Sequence, residues 1–358
     1  MNRLFSIIHL SQAKMPTLCP VFCLVFFLCL SCAQVPNPGR ILSGDFQPPV
    51  YHGLEVTGEH TVTVEFNEPV SVHGTGIRST PALTPVSTDL QDSRIKICFA
   101  ETLLPGKRYV LKGAFEDKHG NSNTCIIPFY GYNPYVPGVL INEFTTQGSG
   151  NHPDCTELRI TAPGNLAGLC LYDGTLNEWN QRIILPFMQV YEGDYLIIHW
   201  KPEGLPTEVD ETLGKTLSGG LDASPYAYDF WVEDGSGLSG NNGAISLYRH
   251  PRGGLLDAVL YSNRTKESDE TYGGFGSSSV QAMAVELFDE GGWLPNTLSE
   301  QPSGCTIYPE DAINPTDSTA TRTMCRRPNT ADTNTKTDWY ITVTSGSTFG
   351  TDNTSKEY

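Results

Sequence analysis

Short runs of alternating apolar and polar residues recur along most of this chain, and a period of two sends successive side chains to opposite faces of a strand. Thr61–Phe66 places Val62, Val64 and Phe66 on one face, and Arg94–Phe99 does the same with Ile95, Ile97 and Phe99. Tyr109–Leu111 lies between the turn Leu104-Pro105-Gly106-Lys107 and the turn Asp117–Asn121. Further on, Thr156–Ile160, the apolar run Tyr195–Ile198, and Ala244–Tyr248 with Ala258–Tyr261 around His250–Gly254 also predict strands. Val280–Phe288 is the one stretch that reads as a helix. With 35 glycines and 25 prolines as punctuation, the pattern predicts an all-β chain of two sandwich domains in tandem, with one short helix in an insertion.

The first residues do not fit that pattern. Arg3 and Lys14 precede the unbroken apolar run Val21–Leu30, which is too short for the roughly 20 residues a membrane helix needs. A basic segment, a short apolar core and small residues describe an export signal. Ser31 and Ala33 fit release before Gln34, whereas Leu28-Cys29-Leu30-Ser31-Cys32 resembles a lipoprotein box with Cys32 acylated. The expected organisation is therefore an export signal over 1–32 and a tether over 33–44. A first domain over 45–134 and a second over 135–353 follow, with an insertion at about 265–320 and a tail at 354–358. Asn133–Gly138 reads as a short stiff linker.

Export changes how the cysteines and charges are read. Cys98, Cys125, Cys155, Cys170, Cys305 and Cys325 lie beyond the signal, and an even set in an exported chain suggests disulfides. Cys155 and Cys170 flank the turn Ala162-Pro163-Gly164, and Cys305 and Cys325 bracket Asn314-Pro315, which leaves Cys98 with Cys125. None of the six has the C-x-x-C spacing of a zinc site. The formal net charge is −17, and loss of Arg3 and Lys14 with the signal lowers it by two more. That balance argues against a nucleic-acid partner, because phosphate binding needs clustered cations.

Catalytic motifs are not found. Gly237-Leu238-Ser239-Gly240 lacks nucleophile-elbow spacing, and Gly214-Lys215-Thr216 has Val209 where a phosphate loop needs its first glycine. His199 follows a strand and reads as structural. Asp222, Asp229, Glu233 and Asp234, near Gly235-Ser236-Gly237, offer hard oxygen ligands, so Ca²⁺ is a candidate cofactor; no motif spacing supports it, and no metal site is assigned. Tyr226, Tyr228 and Phe230 alternate onto one face with Trp231 on the other, which makes them the candidate contact for a glycan or protein partner.

Two resemblances complete the reading. The segments VTVEFNEPV and LLPGKRYVLKGAFEDKHGNSN resemble bacterial Ig-like domains of exported proteins, which implies an Ig-like β-sandwich that spaces or presents. GVLINEF, CTELRI, YLIIHW, GGLLDAV and DWYITV, in that order, resemble the lamin-tail domain, itself an Ig-like sandwich. The resemblance gives Asn142, Glu143, Glu157, Asp257, Asp338 and Trp339 structural roles as family-motif residues, the acids accepting hydrogen bonds. The expected function is an exported, lipid-anchored or secreted, non-catalytic binding, adhesion or structural protein of the cell envelope. A carbohydrate-binding module and an accessory module of an extracellular nuclease or phosphoesterase system are the alternatives.

Overall fold

The computed structural model describes residues 45–267, 271–296 and 307–358. The export signal with Cys32, the tether and Cys305 lie outside them. The described chain is all-β, in several sheets with one α-helix.

Seven strands form the first sandwich: β1 (Tyr51–Gly58), β2 (Thr61–Phe66), β3 (Ser71–Thr80), β4 (Pro85–Gln91), β5 (Arg94–Phe99), β6 (Arg108–Glu116) and β7 (Ser122–Tyr130). One sheet runs β1-β2-β5-β4 and the other β3-β6-β7. Alternation sets the inward faces: Val62 pairs with Ile97 and Val64 with Ile95, and these side chains meet Leu111, Phe115, Ile127 and Phe129 from the other sheet. The Phe66 and Phe115 rings sit 4.8 Å apart across the layers. The turn into β7 closes on Asp117, whose Oδ1 accepts from the amides of His119 and Asn121 at 2.7 and 2.9 Å.

The second sandwich contains β8 (Gly138–Phe144), β9 (Cys155–Ala162), β10 (Gly164–Asn165), β11 (Cys170–Gly174), β12 (Trp179–Ile184), β13 (Gln189–Val190), β14 (Tyr195–His199), β15 (Tyr228–Trp231), β16 (Asn242–His250), β17 (Gly253–Ser262), β18 (Met324–Arg326) and β19 (Trp339–Ile341). A six-stranded sheet, β15-β14-β9-β8-β18-β19, faces a four-stranded one, β12-β11-β16-β17. Leu158, Ile160, Leu196, Ile198 and Phe230 from the first meet Leu171, Leu247 and Val259 from the second in one core. Strand β18, which follows the insertion, pairs with β8, setting Cys325 opposite Glu143. The helix α1 (Ser278–Asp289) is capped by Ser277, whose side chain accepts from the Val280 amide. Val280, Met283, Ala284 and Leu287, at helical spacing, are buried against the core.

The linker is packed rather than free. Asn133 is buried, and its amide donates to the carbonyls of Asn165 and Ala167 at 2.8 and 3.0 Å. Gly106, at φ +69°, lies so close to the second sandwich that a Cβ there would stand 2.6 Å from the Gly168 nitrogen. Residues 48–358 are therefore one compact unit.

Among the described residues no disulfide is formed. Cys98, Cys125, Cys155, Cys170 and Cys325 are free thiols. After Ala162 the chain does not fold back as a hairpin. Gly164–Asn165 pairs with β13, and Cys170 enters β11 of the opposite sheet, so Cys155 and Cys170 sit in different layers and different clusters. Cys98 faces outward from β5, while Cys125 points inward from β7 of the other sheet.

Candidate functional site

Strand pairing sets Cys155, His199 and Asp229 side by side. In the register β9-β14-β15, His199 lies opposite Cys155 on one side and Trp231 on the other. Cys155 Sγ is 3.4 Å from His199 Nδ1, and His199 Nε2 is 2.8 Å from Asp229 Oδ1. The order thiol, imidazole, carboxylate is that of an activated nucleophile. The surroundings close it, however: the three residues are 1%, 0% and 1% exposed. The Trp231 ring stacks on the imidazole at 3.8 Å. Burial, then the acids around it, push the Cys155 thiol well above its ordinary value, so it stays protonated. Asp229 Oδ2 also accepts from the Ser224 amide, and the buried Glu211 accepts from the amides of Asp229, Leu217 and Ser218. As folded, the trio is a hydrogen-bonded strut with no path for a substrate. Its spacing in sequence, across loops, gave no sign of the contact.

The family-motif acids form a second buried network, which ties the C-terminal segment to β8 and β9. Glu143 accepts from the Thr323 and Thr348 hydroxyls and from the Thr348 amide at 3.0 Å. Its cross-strand neighbour Glu157 accepts from Asn142 Nδ2 at 2.6 Å and from the Gly350 amide. Burial raises both carboxyls, that of Glu157 well above the ordinary range with Glu143 adding to the effect. Asn353 bridges the Asn142 and Arg326 carbonyls. Asp257 accepts from the Ile141 amide at 2.6 Å and from Arg326 at 2.8 Å, and the Arg326 guanidinium lies over the Trp339 ring. Asp338 accepts from Thr333 and Thr335 and so closes its own turn.

The aromatic candidate is corrected. Phe230 is wholly buried in the core, Trp231 is covered with its Nε1 donating to Ser218 at 2.9 Å, and Tyr228 packs on the core edge beneath Lys215. Tyr226 alone of the four stands out in solvent. The expected Ca²⁺ ligands diverge as well: Asp222 pairs with His152 at 2.9 Å, Asp229 is held by His199, and Asp234 sits in a turn at φ +56°.

An open feature lies at the junction of the sandwiches, where sequence patterning gave no signal. Leu54, Glu55 and Val56 of β1, Tyr130 of β7 and Tyr132 after it, Ala167 and Gly168, and the Arg249-His250-Arg252 turn line a cleft of about 390 Å³. Burial, followed by the charges of Arg249 and Arg252, pushes the His250 imidazole below its ordinary value. The cationic character of that wall therefore belongs to the two arginines.

Fold and site together define a class: a two-sandwich β-protein with buried polar struts and an open, cation-lined junction. Residues 137–341 match the family described as TP_1001_2nd, protein second domain, and the chain belongs to that family. It is similar to an "Uncharacterized protein" of Treponema pallidum (strain Nichols), with 26% identity over 220 residues, 60% of this chain and 55% of that protein. The chain thus spans about half the length of that relative. Among solved structures, the N-terminal part of the bacterial S-layer protein SbsC aligns at 15% identity and TM-score 0.24, over 32% of this chain and 41% of that one. SbsC domains 1–6 align at 13% and 0.21, over 56% and 39%. Overlap this small leaves no common fold from which to argue.

Proposed function

We propose that this chain is an exported, non-catalytic binding or adhesion protein of the bacterial cell envelope, held there through an N-terminal lipid on Cys32. Its first sandwich would be an Ig-like presenter and its second a lamin-tail-like domain. The observation that carries the reading is the contrast between closed and open chemistry. The Cys155–His199–Asp229 trio is sealed in the core, whereas the cleft at the junction opens to solvent between two sandwiches packed as one body. Rigid walls suit binding, because a preformed site loses little conformational entropy when it is filled. The apolar run Val21–Leu30 and the small residues before Gln34 support export.

The test is metabolic labelling with a fatty-acid analogue and fractionation of cells carrying the full chain or Cys32→Ala. The expected result is label and envelope retention in the parent, with both lost in the variant. A parent chain recovered unlabelled from the cytoplasm overturns the reading.

A further inference from the structure

We infer that the cleft between the sandwiches is a binding site for an anionic saccharide, a sugar ring bearing a carboxylate or a phosphate. The inference rests on the binding role proposed above and supplies its ligand class.

Charge points to an anion. This chain carries 23 Lys+Arg against 40 Asp+Glu, and acids take up four of its other arginines. Arg94 pairs with Glu65, Arg159 with Asp352, Arg326 with Asp257, and Arg327 with Glu357. Arg249 and Arg252 make no ion pair among the described residues, although Glu55 lines the same cleft. Two guanidinia three residues apart and facing one cavity are a matched receptor for a planar or tetrahedral oxyanion.

The hairpin turn that carries them is rigid. The Arg252 amide donates to the His250 carbonyl at 2.7 Å. Pro251 between them is buried, and its carbonyl accepts from the Tyr172 hydroxyl at 3.2 Å. Gly253 and Gly254, at φ +133° and +77°, give the turn a shape that other residues adopt only with strain. The guanidinia are therefore presented from a fixed base.

The opposite wall suits a sugar ring. Leu54, Val56, Tyr130 and Tyr132 give it an apolar and aromatic surface against which the flat face of a sugar ring can lie. Glu55, between Leu54 and Val56 on β1, also lines the cleft. A bare phosphate satisfies the arginines and leaves this wall unused. A ligand with one anionic end, several hydroxyls and an apolar face satisfies all of it. About 390 Å³ is room for one or two sugar rings.

The test is calorimetric titration of the purified full chain with digalacturonic acid, glucose 6-phosphate, neutral galactobiose, inorganic phosphate and a polyglutamate peptide. At least one acidic sugar is expected to bind tenfold or more tightly than galactobiose and inorganic phosphate; whichever of the two wins tells carboxylate from phosphate. The Arg249→Gln/Arg252→Gln double variant is expected to lose at least tenfold in that affinity with an unchanged melting temperature, since neither side chain has a partner to lose. Tyr132→Ser is expected to weaken the sugar and not inorganic phosphate. Equal affinity for acidic and neutral sugars, tighter binding of polyglutamate, or an unaffected arginine variant overturns the inference. If the acidic sugars fail while the parent chain stays lipidated and envelope-bound, only the ligand assignment falls. Loss of envelope association removes the binding role beneath it.

Discussion

Between β1 and β7 the buried side chains are apolar apart from Asp117, which caps a turn. Between β8 and β19, Glu143, Glu157, Asp173, Glu211, Asp229, Asp257 and Asp338 are all buried. The first sandwich is joined largely by neighbouring strands: β1 with β2, β4 with β5, β6 with β7. Its inward faces need only hydrophobic burial to find their register. The second closes a sheet with strands from far apart in the chain, β8 against β18, and apolar alternation alone would leave several pairings open. Buried acids with specific donors remove that freedom, because each is costly until its own donors arrive. The same strand chemistry is thus specified by packing in one half and by polar pairing in the other.

Substitutions can break this contrast. Phe66→Ala empties a fully buried position that contacts Phe115 and is expected to cost about 3–5 kcal/mol. Hydrogen exchange should rise in β2, β5 and β6 while β9 and β14 hold their protection. Asp257→Ala leaves the buried Arg326 guanidinium with Asp332 as its remaining acid, at an expected cost of about 3 kcal/mol. Here β8, β17 and β18 should lose protection, with β5 to β7 unchanged. Equal loss in both halves in either experiment would show that the sandwiches are not separately specified.

Acidity sharpens it. Burial raises Asp173 and Asp257 to about 6 each, above their unfolded values near 3.9. Between roughly pH 4 and 6 the folded chain holds protons that the unfolded chain has released, so stability falls as pH rises through that window. Each group can account for up to about 3 kcal/mol. The melting temperature is expected to be higher at pH 5 than at pH 7, and Asp173→Asn should flatten the slope; a rise in stability from pH 5 to 7 would contradict this. The smallest effect belongs to the exposed Arg94–Glu65 pair. Arg94→Gln should change stability by no more than about 0.5 kcal/mol in a denaturant titration.

Legibility in the sequence followed the same division. Val62, Val64, Phe66, Ile95, Ile97 and Phe99 announced their faces because one side of each strand is core and the other is not. The helix at 278–289 was visible because its apolar residues recur three and four apart. Strand β4 is exposed at every residue and so carries no alternation to read. The aromatics at 226–231 misled because alternation reports two faces and not what covers them; residues 210–218 fold over β15 and bury Trp231. Even spacing of Cys155 and Cys170 about a turn suggested a bridge, but a two-residue strand diverts the chain to the other sheet. The junction cleft and the Cys155–His199–Asp229 contact depend on which strands become neighbours, which no local pattern records.

The ties from Asn142 to Asn353 and from Glu143 to Thr348 span 211 and 205 residues. During synthesis, therefore, the second sandwich lacks the donors that satisfy its opening strand until residues 348–353 have been made. Glu143 and Glu157 stay hydrated and charged on the growing chain, which opposes premature collapse of β8 and β9. This half of the chain therefore stays open for as long as it is incomplete. The closing segment then acts as a latch on the finished sandwich.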